Sequence, residues 1–321
     1  MMKKLSILIP TFNRCKYLKI TLSHLLPQIE RHLDDVEFVI CSNASTDGTE
    51  EYIKELQLKK SYIKYYYFDN FVEICDSFSR SIGKTSGEYV IIWGDDDIPC
   101  LYTVDYILKV LKENENVGIF HFNNLTGYDH VEYMSTLRVN YDIYDSPCKK
   151  MNLHDFLVKY AFNCGLITTF AFYRKGWERG LPYHSKEDYG YEFLPIIFNG
   201  IKGMDCIYCS FPLAIQRMPL TRVWLNRWPL YRAVGAPNML KSVEKSGLTE
   251  GAYEAWKNKY FTFKIFLKTA LVAAQFKSEY KKRCKEMTKY MSPMRSFIFY
   301  SIVYCWPAAI TRFLREKAHK Q

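Results

Sequence analysis

Over its first hundred residues the chain alternates short β-branched runs with helical stretches, and that alternation leaves few folds open. Residues 5–9 (Leu-Ser-Ile-Leu-Ile) read as a strand stopped by Pro10, and residues 17–26 carry Leu18, Leu22, Leu25 and Leu26 at helical spacing. A second strand over 36–40 runs into the polar loop Ser42-Asn43-Ala44-Ser45-Thr46-Asp47-Gly48-Thr49. Thr46 or Asp47 is then expected to cap a helix through Leu56, with Glu50 and Glu51 well placed in its first turn. A strand over 63–68, a helix over 74–82 and a strand over 89–93 complete the series. Strands and helices alternating at this spacing imply an α/β chain with a parallel sheet wound by crossovers. Ligands of such sheets sit beyond the carboxyl ends of the strands. Pro10-Thr11, Ser42-Asn43 and Asp95-Asp96-Asp97 all fall at such ends.

The last of these is the most informative junction. Tyr89-Val90-Ile91-Ile92-Trp93 is uncharged and strand-like, and it runs straight into Gly94-Asp95-Asp96-Asp97. Three adjacent carboxylates repel one another unless a cation or solvent relieves them. Hard divalent cations such as Mg²⁺ and Mn²⁺ take oxygen ligands and bridge a few carboxylates to a substrate's phosphates. An isolated acidic turn facing water is the alternative, and the polar loops converging on the same edge argue against it.

Further along, the spacing predicts a helix over 104–111, strands over 118–122 and 166–173, and a helix over 189–198. Cys206-Ile207-Tyr208-Cys209 is the one CxxC; without a second pair or a nearby His it reads as buried small side chains on a strand rather than a zinc site. The apolar run 5–10 is too short for a signal peptide, so the ten cysteines are expected to be reduced thiols. His121, His154 and His184 have no partner at ligand spacing and read as structural, with His184 closest to the acidic pair Glu187-Asp188.

The net charge of +10 is unevenly spread. Residues 256–321 hold 15 Lys+Arg against 3 Asp+Glu, so the remaining 255 residues are slightly acidic. A basic body built around nucleic acid is thereby disfavoured, and the tail is expected to meet an anionic partner. Trp256, Tyr260, Phe263, Leu267, Leu271 and Ala274 form one helical stripe there, and Lys257, Lys264 and Lys268 another. Residues 296–311 are uncharged but interrupted by Pro307. Spanning a bilayer takes about 20 apolar residues, so this segment suits the interface of an anionic membrane instead. Packing onto the globular body or a dimer contact is the alternative.

Taken in order, these pieces resemble the family 2 glycosyltransferases. Residues 5–14, ending Pro10-Thr11-Phe12-Asn13-Arg14, are similar to that family's opening strand and loop; residues 42–49 are similar to its second loop. Ser86-Gly87-Glu88-Tyr89-Val90 leading to Asp95-Asp96-Asp97 is similar to its approach to the metal-binding DxD motif. The similarity covers residues 4 to about 110 well and fades by 215. It is closest in style to bacterial enzymes that build O-antigen or capsule repeat units.

The resemblance implies a GT-A fold: a Rossmann-like, mostly parallel sheet flanked by helices, here with a helical, membrane-associating C-terminal extension. It divides the chain into a catalytic domain over 1–215 (nucleotide-sugar half 1–98, acceptor half 99–215), a connector or lid over 216–255 and a basic helical tail over 256–321. Pro10, Thr11, Asn13, Arg14, Ser42, Asn43, Asp95 and Asp96 would line the donor pocket, with Asn43 against the base. Many members have an Asp at one of the positions held by Ser42 and Asn43; an Asn offers a donor as well as an acceptor. UDP is the default nucleotide, with CDP, dTDP and GDP open. The glycines usual after the third strand are replaced by Asn70-Phe71-Val72-Glu73.

Mn²⁺ or Mg²⁺ would be held by Asp95 and Asp97, the choice of two among three aspartates turning on a one-residue alignment shift. The general base, a carboxylate near the start of a later helix, would be Asp188, with Glu187 and Glu192 as alternatives. Arg217 and Arg222 would meet the diphosphate from a lid whose Trp224 and Trp228 stack on a sugar or on the core. The implied reaction is an inverting transfer from a nucleotide-sugar to a glycan acceptor on a polyprenyl diphosphate. It would take place at the cytoplasmic face of the membrane. A catalytically inactive relative that binds a glycan or partner is the main alternative; a nucleotidyltransferase is disfavoured because Pro10-Thr11-Phe12-Asn13-Arg14 is not a Gly-rich basic loop. The oligomeric state is left open.

Overall fold

The computed structural model describes residues 2–128, 138–139, 148–218, 227–305 and 307. The chain divides into two compact units, Met1–His184 with Phe193–Leu220, and Ser185–Glu192 with Thr221–Gln321.

In the first unit the predicted alternation is realised: β1 (Leu5–Thr11), α1 (Cys15–Ile29), β2 (Val36–Asn43), α2 (Thr49–Lys59), β3 (Ile63–Phe68), α3 (Ile74–Ile82) and β4 (Tyr89–Ile92). There follow β5 (Ile98–Pro99), α4 (Thr103–Glu113), β6 (Val117–Tyr128), β7 (Arg138–Val139) and β8 (Cys148–Asn152). Then come α5 (Leu153–Tyr160), β9 (Phe170–Tyr173), α6 (Arg174–Gly180), α7 (Phe193–Gly200) and β10 (Asp205–Met218). The strands form one sheet in the order β3-β2-β1-β4-β9-β6-β10-β5, with β7 on β6 and β8 on β10. The first four neighbours are parallel; β9 inverts the direction, and β6 pairs parallel with β10.

Strand β1 lies between β2 and β4, so the chain leaves it toward opposite sides of the sheet. That is the switch point at which a crevice opens past the carboxyl ends. Register sharpens the point. Thr11 stands opposite Ser42, Leu8 opposite Ile92, and the Trp93 N–H continues the ladder to the Leu8 carbonyl at 2.8 Å. The core is a contiguous apolar cluster in which Leu18, Leu22, Leu25 and Leu26 of α1 join Ile7, Phe38, Ile40 and Ile91 of the sheet. The leucine spacing read from the sequence is therefore the buried face of α1.

At the amino ends of the strands one carboxylate sets the alignment. Glu37 on β2 faces Ser6 on β1 and accepts from its hydroxyl, from the Ser86 N–H at 2.7 Å and hydroxyl at 2.8 Å, and from Lys64 at 2.6 Å. Ser6 accepts in turn from the Gly87 N–H at 2.9 Å. The turn that feeds β4 is thus tied to the β1–β2 pair. Burial pushes the Glu37 carboxyl up, but hydrogen bonds from Lys64, Ser6 and Ser86 outweigh it and hold it at about 2.

Several expectations need correction. Gly48, in a left-handed conformation, occupies the N-cap of α2 with no side-chain cap bond. Asp47 accepts the Cys15 N–H at 2.8 Å, the first residue of α1, and also the hydroxyl of Thr49, the first residue of α2, at 2.5 Å, so it joins the starts of both helices. Residues 167–169 form a 3₁₀ turn, closed by the Thr169 N–H and hydroxyl on the Leu166 carbonyl, and strand β9 starts only at Phe170. The helix expected over 189–198 begins at Phe193, because Tyr189 and Gly190 take positive φ values of 24° and 82° that a right-handed helix does not admit. Strand β10 runs through Met218, past the expected domain end at 215. His121 on β6 is fully buried between Tyr208 and Tyr160, and burial pushes its imidazole down to about 3, which keeps it neutral.

The second unit is helical: α8 (Trp228–Leu230), a π-helical turn over Tyr231–Gly235, α9 (Ala236–Lys245), α10 (Ala252–Tyr260) and α11 (Phe263–Gln275). The short turns α12 (Lys277–Tyr280) and α13 (Cys284–Met287) lead to α14 (Pro293–Cys305). The stripe expected from Trp256 to Ala274 is broken between α10 and α11 at Phe261-Thr262, which resets the helical phase. Phe263 is consequently exposed, and Phe266, Ala270 and Ala273 are buried in place of Leu267 and Leu271. Residues 227–255 and 256–305 share this unit rather than forming a connector and a separate tail.

Glu37→Gln is expected to lower unfolding stability at pH 7 by about 2 kcal/mol, since buried donors lose a carboxylate acceptor. The folded carboxyl lies below its unfolded value, so its contribution is present above about pH 4.5 and fades as pH falls toward 2. Urea melts of both proteins should therefore separate at pH 7 and converge at about pH 2 and below; an equal gap at both would contradict this role.

Candidate functional site

The acid loop is positioned from both sides of the switch point. After β4, the Trp93 indole N–H donates to the Asp97 carbonyl at 3.0 Å and the Asp97 N–H to the Gly94 carbonyl at 3.3 Å, closing a tight turn. A side chain at Gly94 would meet Asp97 Oδ2 at 2.7 Å and Thr168 Oγ1 at 3.0 Å, so only glycine fits there. Asp95 is buried: Thr11 Oγ1 donates to its Oδ2 at 2.7 Å, Arg14 Nη1 to its Oδ1 at 3.3 Å, and Thr21 Oγ1 to its carbonyl at 3.1 Å. Asp97 is equally buried, with Thr168 Oγ1 on Oδ2 and the Arg217 N–H on Oδ1 at 3.2 Å.

Asp96 is the more open member, its side chain 21% exposed, and its carboxylate pairs with Arg14. Burial pushes the Asp95 carboxyl up to about 7 against the opposing pull of Arg14. Burial, with the neighbouring Asp96 charge, pushes Asp97 the same way, to about 7, opposed by Thr168 and the Arg217 N–H. Burial thus disfavours the charged form of both carboxyls, and the internal donors offset it only in part.

Two aromatic–cation contacts frame this end. The Arg217 and Arg14 guanidinium groups lie over the Tyr17 ring at 5.2 and 5.9 Å from its centroid, and Arg217 Nε donates to the Asp96 carbonyl at 3.3 Å. Arg217 therefore belongs to the sheet and braces the acid loop, which differs from a place on a lid. Arg222 and Trp224 lie outside the described residues. Trp228 begins α8 and carries Arg232 and Lys268 over its ring.

The loops after β1 and β2 interlock. Asn13 has a left-handed φ of 52°, donates its N–H to Ser45 Oγ at 3.1 Å and accepts from the Thr46 N–H at 2.7 Å. Ser42 Oγ accepts the Ser45 N–H at 3.3 Å. The Asn43 amide, expected to meet a base, instead clamps a peptide: Nδ2 donates to the Val72 carbonyl at 2.9 Å and Oδ1 accepts the Val72 N–H at 3.1 Å and the Arg80 guanidinium. An aspartate has no donor for that carbonyl, which accounts for Asn here. The clamp fixes the segment after β3, and Phe71 meets Phe12 in a tilted contact with ring centroids 4.8 Å apart and planes at 50°, both residues exposed. Sequence reasoning missed Phe12, Tyr17, Thr21, Arg80 and Thr168. Their roles arise from tertiary approach across tens of residues, although the aromatic insertion at Phe71, where glycines were expected, was a usable signal.

Asp188 sits in the other unit, on a 3₁₀ turn over Lys186–Asp188, and is buried. Its carbonyl accepts the Tyr191 N–H at 3.1 Å. The turn packs on the π-helical segment: a Cβ at Gly235 would fall 2.2 Å from the Tyr189 carbonyl, and one at Gly190 2.4 Å from the Tyr231 ring. Arg283 lies over the Tyr189 ring at 4.9 Å. Glu192 is partly buried in the same unit, and the side chain of Glu187 lies outside those described. The structure thus brings Pro10, Thr11, Asn13, Arg14, Ser42, Asn43, Asp95, Asp96, Asp97 and Arg217 to one end of the first unit, and sets Asp188 and Glu192 in the second.

A divalent metal at this end of the sheet would have to be held by this donor set. Among the described residues no cluster of three or more His, Cys, Asp or Glu side chains converges as a preformed metal cage. Metals of this kind are held through one or two carboxylates completed by substrate phosphates, so a preformed cage is not required. Arg14 already bridges the Asp95 and Asp96 carboxylates, a cation in the place a metal would take, so the two side chains fit the group. Asp97, expected as a ligand, has both oxygens engaged by internal donors.

Comparison with known proteins agrees with this geometry. A family profile described as "Glycosyl transferase family 2" matches residues 6–181. Over 122 residues the chain is 28% identical to the GalNAc(5)-diNAcBac-PP-undecaprenol beta-1,3-glucosyltransferase of Campylobacter jejuni, covering 37% of each chain. Over 146 residues it is 31% identical to the abequosyltransferase RfbV of Salmonella typhimurium, covering 44% of this chain and 43% of the relative. These alignments span well under half of either relative.

Among solved structures, TarS of S. aureus in complex with UDP-GlcNAc superposes with a TM-score of 0.62 at 12% identity, over 98% of this chain and 92% of that one. The mannosyltransferase PcManGT of Pyrobaculum calidifontis, in complex with GDP-Man and Mn²⁺, gives 0.55 at 14% identity, over 95% and 88%. At such identities these likenesses establish the shared GT-A fold.

Proposed function

The chain belongs to glycosyl transferase family 2, and we propose that it transfers a sugar from a nucleotide-diphospho-sugar, UDP-linked by default, to a lipid-linked glycan acceptor with inversion at the anomeric carbon. The observation that carries the reading is the pair of carboxylates, Asp95 and Asp96, bridged by Arg14 at the carboxyl ends of β1 and β4. The names of two relatives support a bacterial surface-glycan context, and one of them names an undecaprenol-linked acceptor.

In this reading Asp96, backed by Asp95, would hold Mn²⁺ or Mg²⁺. When bound, the metal supplies positive charge against the departing diphosphate. The chain's own residues do the rest. Thr11 and Arg14 orient Asp95; Trp93, Thr168 and the Arg217 N–H hold the backbone and side chain of Asp97, so the loop presents Asp96 without reorganising. Phe12 and Phe71 offer an exposed aromatic surface for the nucleobase beside the Asn13–Ser45 interlock. Asp188 takes the proton of the acceptor hydroxyl, a role worth about 10²–10⁴-fold in rate. The alternatives at that role are Glu187 and Glu192. One base and one displacement give inversion.

A lipid carrier on the acceptor would bring the chain to a membrane surface, and α14 supports peripheral contact there. Phe299 and Val303 are buried, while Met294, Phe297, Tyr300 and Tyr304 form an exposed stripe on another face. Lys281 lies over the Tyr304 ring at 4.9 Å, next to Lys282, Arg283 and Lys285. No helix among the described residues is long and apolar enough to cross a membrane. An exposed aromatic stripe edged by cations suits the headgroup region of anionic lipid.

Turnover is tested by nucleoside-diphosphate release from a panel of UDP-, dTDP-, CDP- and GDP-sugars with Mn²⁺ and a polyprenyl-diphosphate glycan. Asp188→Asn should lower kcat by at least about 100-fold with donor affinity retained; normal turnover moves the base elsewhere, and no turnover by the wild type with any donor favours a glycan-binding module instead. For the membrane contact, Phe297→Asp with Met294→Asp should abolish co-sedimentation with phosphatidylglycerol vesicles while the melting temperature is kept. Undiminished sedimentation would refute that surface.

A further inference from the structure

The CxxC of β10 takes no part in the acid site, and the structure divides its two cysteines. Three apart on a strand, Cys206 and Cys209 point to opposite faces. Cys209 is paired across the sheet, in direct register, with Cys148 of the antiparallel strand β8. Tyr106 of α4 reaches both sulfurs, its hydroxyl 3.3 Å from Cys148 Sγ and 3.8 Å from Cys209 Sγ. Cys209 is fully buried, whereas Cys148 is partly exposed and opens into a pocket of about 220 Å³. Tyr106, Lys109, Glu113, Lys150 and Ile207 also line that pocket.

We propose that Cys148 and Cys209 form a thiol–disulfide exchange site, in which Cys148 is the entry nucleophile for a small anionic disulfide and Cys209 the resolving thiol. Register makes the closure feasible. Directly opposed residues of an antiparallel pair have Cα atoms about 4.5 or 5.5 Å apart. That falls within the about 4.4–6.8 Å that a disulfide bridges. The electrostatics match the order of events. The Cys209 thiol donates to Cys148, burial opposes, and the Tyr106 hydroxyl adds a second donor, which together hold Cys148 down at about 6 while Cys209 stays protonated. Lys109 and Lys150 flank the entrance, with Glu113 and the Lys150–Asp205 pair (3.1 Å) moderating the positive charge.

The exchange balances with the disulfide as oxidant. The Cys148 thiolate attacks one sulfur of the small disulfide; the S–S bond breaks, a mixed disulfide forms and one small thiolate leaves. Cys209 then gives its proton to solvent or to that thiolate and attacks Cys148 Sγ, forming the protein disulfide and releasing the second small thiolate. Two protein thiols are oxidised, and one small disulfide becomes two thiols. The product staples β8 to the strand that carries Arg217, on which the Asp97 carboxylate depends.

The test uses the full chain, reduced, then exposed to oxidised glutathione at pH 7 and mapped by peptide mass spectrometry. Wild type is expected to yield a Cys148–Cys209 linked peptide, with Cys148 consumed severalfold faster than the exposed Cys305. Cys209→Ser is expected to stop at a stable glutathione adduct on Cys148. Absence of the linked peptide from fully reacted wild type would overturn the proposal, and so would a Cys148 no faster than Cys305. These readings use the wild-type fold and do not depend on glycosyl transfer, so failure here leaves that reading untouched.

Discussion

Three consecutive carboxylates at the end of a buried strand cannot be tolerated unless each has a fate, and the structure assigns a different one to each. Asp95 is taken inward by Thr11 and Arg14, and Asp97 by Thr168 and the backbone of Arg217; Asp96 is left at the surface of the site. Everything else about the first unit follows from bringing those partners together. Thr11 arrives because β1 lies beside β4, and Arg217 because β10 runs beyond the core to its carboxyl end. Thr168 arrives because a 3₁₀ turn replaces the start of β9. A buried carboxylate without such donors would cost several kcal/mol.

The two ends of the sheet are therefore coupled. Glu37 ties the turn before β4 to β1 and β2 at the amino ends, and the acid loop emerges from that same β4 at the carboxyl ends. A slip of β4 by one residue would reverse every side chain on it. The candidate base lies in the helical unit, on a turn held by a positive-φ pair and a π-helical neighbour. Backbone departures of that kind persist where the surroundings over-determine them.

Much of this was legible in advance because it depends on local periodicity. The strands β1 to β4, the leucine face of α1 and the convergence of three polar loops follow from spacing alone, and the family resemblance rests on the same residues. What the sequence hid were interactions made across space. Asp47 looks like a cap only for the helix that follows it, yet it also holds the start of α1; Asn43 looks like a base contact, yet it holds the Val72 peptide. The basic tail looked like one long amphipathic helix because a break at Phe261-Thr262 leaves the apolar count unchanged while shifting its phase. Asp95 and Asp97 looked like the metal pair, and nothing in a run of identical residues reveals which of them find internal donors.

The division of labour among the aspartates is the central claim, and titration of Mn²⁺ in the presence of UDP, followed by calorimetry on folded variants, tests it most directly. Asp96→Asn should lose Mn²⁺-dependent UDP binding by at least about tenfold with its melting temperature unchanged. Asp97→Asn should leave that binding largely intact, since both its oxygens are held by internal donors. Retention of full Mn²⁺ affinity by Asp96→Asn, with loss confined to Asp97→Asn at unchanged stability, would contradict the account.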